Sequence, residues 1–176
     1  MLILTGERGC GKSLLLKEII LGHSVPAQGF LSLKEVNDGI VTGIHLLLLP
    51  DQEVVPMATT TPITTEASTS RFYFYPDVFP RVNSCFERLD EDLPFVFDEF
   101  GILEMRQKGH YPIFEELQRS SHKTLMVVRL EILDDFMSVF CPHAHYEVLD
   151  LTTLDRTHIA RSILDFLTDT VVRNHG

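Results

Sequence analysis

The chain opens with a short apolar run, Leu2 to Thr5, that enters a glycine-rich turn; from Lys12 the period changes. Leu15, Leu16, Ile19 and Ile20 recur at helical spacing and Gly22 is a natural stop, so this segment predicts strand, turn and helix in one compact unit. Gly29 to Val36 and Ile40 to Leu49 flank Asn37-Asp38-Gly39, which is hairpin chemistry, and Pro50-Asp51-Gln52 offers a second turn before Val54 to Met57. Residues 29–57 are therefore expected to form an antiparallel meander attached to the main sheet. Residues 58–70 are rich in Thr and Ser with no apolar period and are expected to be a mobile loop; a strand resumes at Arg71 to Tyr75.

Phe79, Val82, Phe86 and Leu89 share a helical face ahead of a buried strand, Phe95-Val96-Phe97. Pro112 suits the first turn of a helix carrying Ile113, Phe114 and Leu117. Leu125 to Val128 is apolar throughout, as a parallel strand buried on both faces should be. Ile132, Leu133, Phe136 and Phe140 predict the next helix, His145 to Leu149 a strand, and Ile159, Ile163 and Leu167 a final helix. Strands alternating with helices predict an α/β chain of one domain over 1–176, its mostly parallel sheet covered by helices on both faces.

A formal net charge of −10 disfavours sequence-independent binding to nucleic acid, since most of the surface would repel a polyanion. Any anionic ligand must be gripped by focused local groups. Cys10, Cys85 and Cys141 are widely spaced and form no CxxC pair, which points to reduced thiols and a cytoplasmic protein. The longest apolar stretch, Ile40 to Leu49, is too short to span a bilayer, and the strand at Leu2 leaves no room for a targeting segment. Neither a membrane nor a nucleic-acid partner is expected; a protein partner is compatible with the sequence but not indicated by it.

Gly6-Glu7-Arg8-Gly9-Cys10-Gly11-Lys12-Ser13 matches the phosphate-loop pattern G-x-x-x-x-G-K-[ST] without a mismatch. Its glycines let successive N–H groups turn inward toward phosphate oxygens, and the helix that follows adds its positive end. Lys12 is expected to reach the β- and γ-phosphates and Ser13 to ligate Mg²⁺; Leu14 is the next position of the helix and joins the candidate nucleotide-binding set. Phe95-Val96-Phe97-Asp98-Glu99 is an apolar strand ending in two acids. Asp98 is placed to hold Mg²⁺ and Glu99 to orient and deprotonate water, so that Lys12, Asp98 and Glu99 form the expected catalytic set.

From Asp98 to Met105 the chain carries D-E-x-G-x-x-E, and it resembles the small P-loop nucleoside-triphosphatases first described from thermophiles. Gly29-Phe30, the hairpin with Gly43, and Thr152 to Arg156, similar to the family's T-x-x-N-R stretch, extend the resemblance along nearly the whole chain. It implies a three-layer P-loop NTPase fold with a RecA-like sheet and added antiparallel strands. It further implies an Mg²⁺-dependent hydrolase of broad preference, usually for ATP or GTP, and nominates Glu104 and Arg156. Two departures stand out: the hairpin stretch Lys34-Glu35-Val36-Asn37 has no arginine, and Asp155 replaces the family's asparagine.

Several positions stay open at this level. Glu104 either steadies the Glu99 loop or tunes the water site, or is a solvated acid beside Arg106. Arg8 lies in the phosphate loop, and Arg71, Arg129 and Arg156 lie near expected strand ends, where α/β sheets bind ligands. His143 and His145 share a strand face but lack further ligands at metal spacing, so they read as structural. Two other functions share the phosphate loop: a small nucleoside or nucleotide kinase, which needs an acceptor pocket and an arginine-rich lid, and a nucleotide-dependent switch with weak turnover. Residues 58–70 carry no Lys or Arg, which disfavours the lid.

Overall fold

The computed structural model describes residues 1–120, 122–142 and 146–169. In chain order the elements are β1 (Leu2–Thr5), α1 (Lys12–Gly22), β2 (Gln28–Asn37), β3 (Ile40–Leu49), β4 (Val54–Thr59), β5 (Tyr73–Phe74) and α2 (Val78–Cys85). They continue with β6 (Phe95–Phe100), α3 (Ile102–Met105), α4 (Tyr111–Ser120), β7 (Thr124–Val128), α5 (Leu133–Phe140), β8 (Glu147–Asp150) and α6 (Arg156–Thr168). The eight strands form one sheet in the order β5-β4-β3-β2-β6-β7-β1-β8. From β2 to β8 across the sheet the neighbours run parallel, and β3, β4 and β5 add antiparallel strands beyond β2.

Two cores follow from the alternation of side chains along each strand. Leu2, Leu4, Val96, Leu125 and Val127 face the apolar stripes of α1 and α6. Ile3, Phe95, Phe97, Met126 and Val128 face α2, α4 and α5, where phenylalanines dominate. Phe100 packs edge-on to Phe114 and Phe136, each at 4.8 Å between ring centroids. The expected three layers are present. Gly29 marks the point where the meander joins the parallel sheet: its φ is +116°, and a Cβ there would lie 2.1 Å from the Val96 carbonyl oxygen. Only glycine lets β2 pair this closely with β6.

Several boundaries differ from the sequence expectation. The α2 helix stops at Cys85, short of Phe86 and Leu89. Beyond it the Gln28 side chain fastens the chain, accepting from the Asp90 N–H at 3.0 Å and donating to the Asp90 and Leu93 carbonyls at 2.6 and 3.0 Å. The β4 strand continues to Thr59, and β5 keeps only Tyr73 and Phe74 of the strand expected at 71–75. Within the threonine-rich segment, the Thr65 hydroxyl accepts from the Ala67 N–H at 3.2 Å and Ser68 bridges to Tyr73. The final strand is described from Glu147; His143 and His145, read as structural from sequence, lie outside the described residues. Among the described residues no helix is long and apolar enough to cross a membrane.

Candidate functional site

The loop between β1 and α1 is built on left-handed backbone at its glycines, with φ of 141° at Gly6, 84° at Gly9 and 94° at Gly11. Gly6 is also enclosed: a Cβ there would meet Cys10 Sγ at 3.0 Å and Thr152 Oγ1 at 3.2 Å. The first turn of α1 adds N–H groups that a helix leaves without intrahelical partners. The Lys12 ammonium folds over the loop, donating to the Gly6 carbonyl at 2.7 Å and the Glu7 carbonyl at 2.9 Å, and lies 3.8 Å from Cys10 Sγ. Arg8 is exposed at the loop tip and Leu14 is exposed on the first turn of the helix.

The segment after β8 braces this loop from outside. The Glu7 N–H donates to Thr152 Oγ1 at 2.9 Å, and the Thr152 N–H donates to Asp150 Oδ1 at 2.8 Å. Asp155 caps α6 by accepting from the His158 N–H at 2.9 Å, so the acid standing in the family's asparagine position serves as an N-cap. Arg156 comes within 3.4 Å of where a Gly11 Cβ would stand, and its guanidinium donates to Glu18 at 3.0 Å. Arg71, by contrast, sits over the Phe72 ring at 5.3 Å.

On the neighbouring side, β6 runs past Phe97 to Phe100, and the register with β7 slips so that Asp98 faces Val127 and Phe100 faces Val128. Glu99 is the extra residue of this bulge. The slip puts Phe97 and Phe100 into the same core, three residues apart, and turns Asp98 to the opposite face. Asp98 is buried, and Oδ2 accepts from the Ser32 N–H at 2.9 Å. Burial pushes its carboxyl up to about 7, while the Ser32 N–H, the Ser13 hydroxyl and the Lys12 ammonium pull it down and Glu99 raises it further. Oδ1 makes no hydrogen bond of ordinary geometry to the described protein. A buried carboxylate oxygen without a well-formed hydrogen bond, beside a serine hydroxyl at a helix N-terminus, is a donor set that suits a hard cation sharing its shell with phosphate and water. No cluster of three His, Cys, Asp or Glu among the described residues offers an all-protein alternative.

Glu99 and Glu104 have separate surroundings. Glu99, about one-third exposed, pairs with the Arg129 guanidinium. Glu104 is buried; its two oxygens accept from the Gly101 N–H at 3.0 Å and the His110 N–H at 3.1 Å. It steadies the loop after Glu99, and the reading of a solvated acid beside Arg106 is set aside. Burial raises its carboxyl above the ordinary range and the two N–H bonds oppose that rise. His110 stacks among Phe30 at 4.8 Å and Phe79 at 5.0 Å, and burial lowers its ring to about 3. Asn83 fixes its tautomer: the amide donates to the Gly109 carbonyl at 3.1 Å, leaving Asn83 Oδ1 to accept from His110 Nδ1 at 2.9 Å.

The sequence matches the NTPase family over residues 1–164. The chain belongs to the NTPase family. It is by that membership a nucleoside-triphosphatase, with a nucleoside triphosphate as substrate. Among solved structures it is similar to THEP1 from the hyperthermophile Aquifex aeolicus, with a TM-score of 0.72 and 18% identity over 96% of this chain and 99% of that one. It is also similar to a human cancer-related nucleoside triphosphatase, with a TM-score of 0.65 and 18% identity over 96% of this chain and 97% of that one. No curated protein matches significantly. These likenesses show the P-loop NTPase fold, whose members generally use Mg²⁺.

In this NTPase the fold gathers Lys12, Ser13 and Asp98 at one point and sets Glu99 beside them, while Arg156 and Leu14 lie on the outer flank of the loop. Sequence reasoning missed Ser32 and the contacts of Thr152 with Glu7 and of Arg129 with Glu99. It also missed the link from Glu104 through His110 to Asn83. None of these partners is signalled by spacing: apart from Glu104 with His110, six positions on, each contact joins elements far apart in the chain.

Proposed function

We infer that this NTPase hydrolyses nucleoside triphosphates, ATP or GTP with broad base preference, to diphosphate and phosphate in a Mg²⁺-dependent reaction. The observation that carries the reading is the convergence of Ser13 and Lys12 on the buried Asp98 carboxylate, whose Oδ1 makes no hydrogen bond of ordinary geometry to the described residues. Ser13 and Asp98 would hold Mg²⁺, which when bound supplies positive charge to the β- and γ-phosphate oxygens. Lys12 exchanges its bonds to the Gly6 and Glu7 carbonyls for phosphate oxygens, and the loop N–H groups of residues 6–13 cradle the rest. Glu99 orients a water whose oxygen attacks the γ-phosphorus. The bond from that phosphorus to the bridging oxygen breaks, and the water proton passes to the Glu99 carboxylate. Leu14 and Arg156 are assigned to the nucleoside end.

The same reading takes residues 1–176 as one P-loop domain acting in the cytoplasm, without nucleic-acid or membrane partners. Three free cysteines and the net charge of −10 support it. The test is phosphate release from ATP, GTP, CTP and UTP with and without Mg²⁺ and with no acceptor present, alongside Lys12→Ala and Glu99→Gln. Lys12→Ala should lose nucleotide binding, and Glu99→Gln should lose turnover while it still binds. Phosphate transfer only after an acceptor is added would overturn hydrolysis in favour of a kinase.

A further inference from the structure

Arg129 leaves the end of β7, the strand that separates β1 with its phosphate loop from β6 with its acids. It is fastened to both. Its N–H donates to the Phe100 carbonyl at 3.5 Å, and the preceding carbonyl, of Val128, accepts from the hydroxyl of Thr5, the residue just before Gly6, at 2.9 Å. The side chain crosses Gly101, whose Cβ position lies 3.4 Å from the arginine Nε, and donates through Nε to Glu99 Oε1. Among the described residues this carboxylate is the guanidinium's hydrogen-bond acceptor, and both side chains remain 33% exposed. The other candidate arginines are engaged elsewhere or point outward: Arg156 on Glu18, Arg71 on Phe72, and Arg8 at the exposed loop tip.

The pair joins the group assigned to water activation with a cation at the phosphate-binding edge of the sheet, and while it lasts each charge is held toward the other and not toward water or phosphate. A guanidinium at its side makes the Glu99 carboxylate a weaker proton acceptor, and a carboxylate at its side draws the Arg129 charge away from phosphoryl oxygens. Arginine's planar fork suits either anion.

We propose that Arg129 is a catalytic arginine supplied in cis and stored on Glu99, and that the γ-phosphate of the bound triphosphate displaces Glu99 from it. The exchange frees Glu99 to orient water and places positive charge on the transferring group in the same step. A diphosphate lacks the displacing anion and leaves the pair closed, so the device senses the γ-phosphate. This inference rests on the hydrolase reading above for the role of Glu99, but its binding consequences are measured without turnover.

The experiment is a double-mutant cycle, read by calorimetry with Mg²⁺ and the β,γ-imido analogue of ATP or GTP, with the matching diphosphate as control. Glu99→Gln should tighten analogue binding by about two- to fivefold, the range carried by a partly exposed ion pair, and leave diphosphate binding unchanged. In an Arg129→Ala background that gain should vanish. Arg129→Ala alone should weaken the analogue but not the diphosphate and lower kcat on the order of 10³-fold. Arg129→Lys, which keeps the charge and loses the fork, should recover about tenfold of that loss. A gain from Glu99→Gln that persists without Arg129 would overturn the proposal. So would equal weakening of analogue and diphosphate in Arg129→Ala, or a kcat that rises in that variant. A wild-type protein that releases no phosphate from any triphosphate removes the hydrolase reading, yet leaves the binding cycle fully interpretable.

Discussion

Replacing Glu104 with alanine removes the one acceptor shared by both ends of the loop that follows the acidic strand. The Gly101 N–H at 3.0 Å and the His110 N–H at 3.1 Å would both lose their partner in a buried setting. Each orphaned donor costs about 1–3 kcal/mol. Against this, the variant no longer buries a carboxyl that burial itself disfavours, which offsets part of the loss. The net expectation is a destabilisation of about 2–4 kcal/mol, a fall in Tm of roughly 5–15 °C for a chain of this length. Urea denaturation followed by circular dichroism measures it. Because Gly101 follows Glu99 by two positions, phosphate release at a temperature where the variant is folded should drop in kcat while diphosphate affinity holds. Gly109→Ala provides an independent check, since its Cβ would press to 2.3 Å from Glu104 Oε1 and displace the same carboxylate without deleting it. The reasoning fails if Glu104→Ala unfolds within about 1 kcal/mol of wild type, or if nucleotide affinity falls as far as kcat.

Between pH 3.8 and about 7, Asp98 binds a proton in the folded chain but not in the unfolded one. The contribution of this group to nucleotide-free stability should therefore decline as pH rises through that window and level off above it. Asp98→Asn should flatten this slope and abolish the extra thermal stability that Mg²⁺ with a triphosphate gives wild type, both measurable by thermal melts across pH. His110 has the opposite sign: its ring is neutral in the fold down to about 3 but charges in the unfolded chain below 6.5. Its contribution to stability should fall with acidification over that range by up to about 1.4 kcal/mol per pH unit, offsetting the Asp98 slope where the two windows overlap, and His110→Phe should remove that contribution even while it lowers stability at neutral pH. Gly29→Ala forces a Cβ to 2.1 Å from the Val96 carbonyl oxygen. A loss of more than about 3 kcal/mol is expected by chemical denaturation, and a wild-type midpoint would show that β2 and β6 can separate without penalty.

How much was legible depended on the range over which each signal acts. The phosphate loop declared itself because its chemistry is local: glycines at 6, 9 and 11 take left-handed backbone, and Lys12 and Ser13 follow at once on the helix. Asp98-Glu99 could be read for the same reason, as two acids ending an apolar run. Strand and helix types came from periodicity, which the two cores use directly. The ends of α2 and β5 did not, because they are set by distant partners such as the Gln28 side chain holding Asp90.

The sequence by itself determined the layered α/β class, the cradle for phosphate and the identity of the acids, because backbone freedom, period and residue chemistry are properties of neighbours along the chain. Tertiary structure alone decided that a bulge at Glu99 buries Asp98 against Ser32 while leaving Glu99 on Arg129, and that Glu104 serves the loop and not the solvent. Those outcomes turn on which strand lies beside which, and on what burial does to a charge. For Asp98 and Glu99 both are fixed only when residues 66 and 30 positions apart meet.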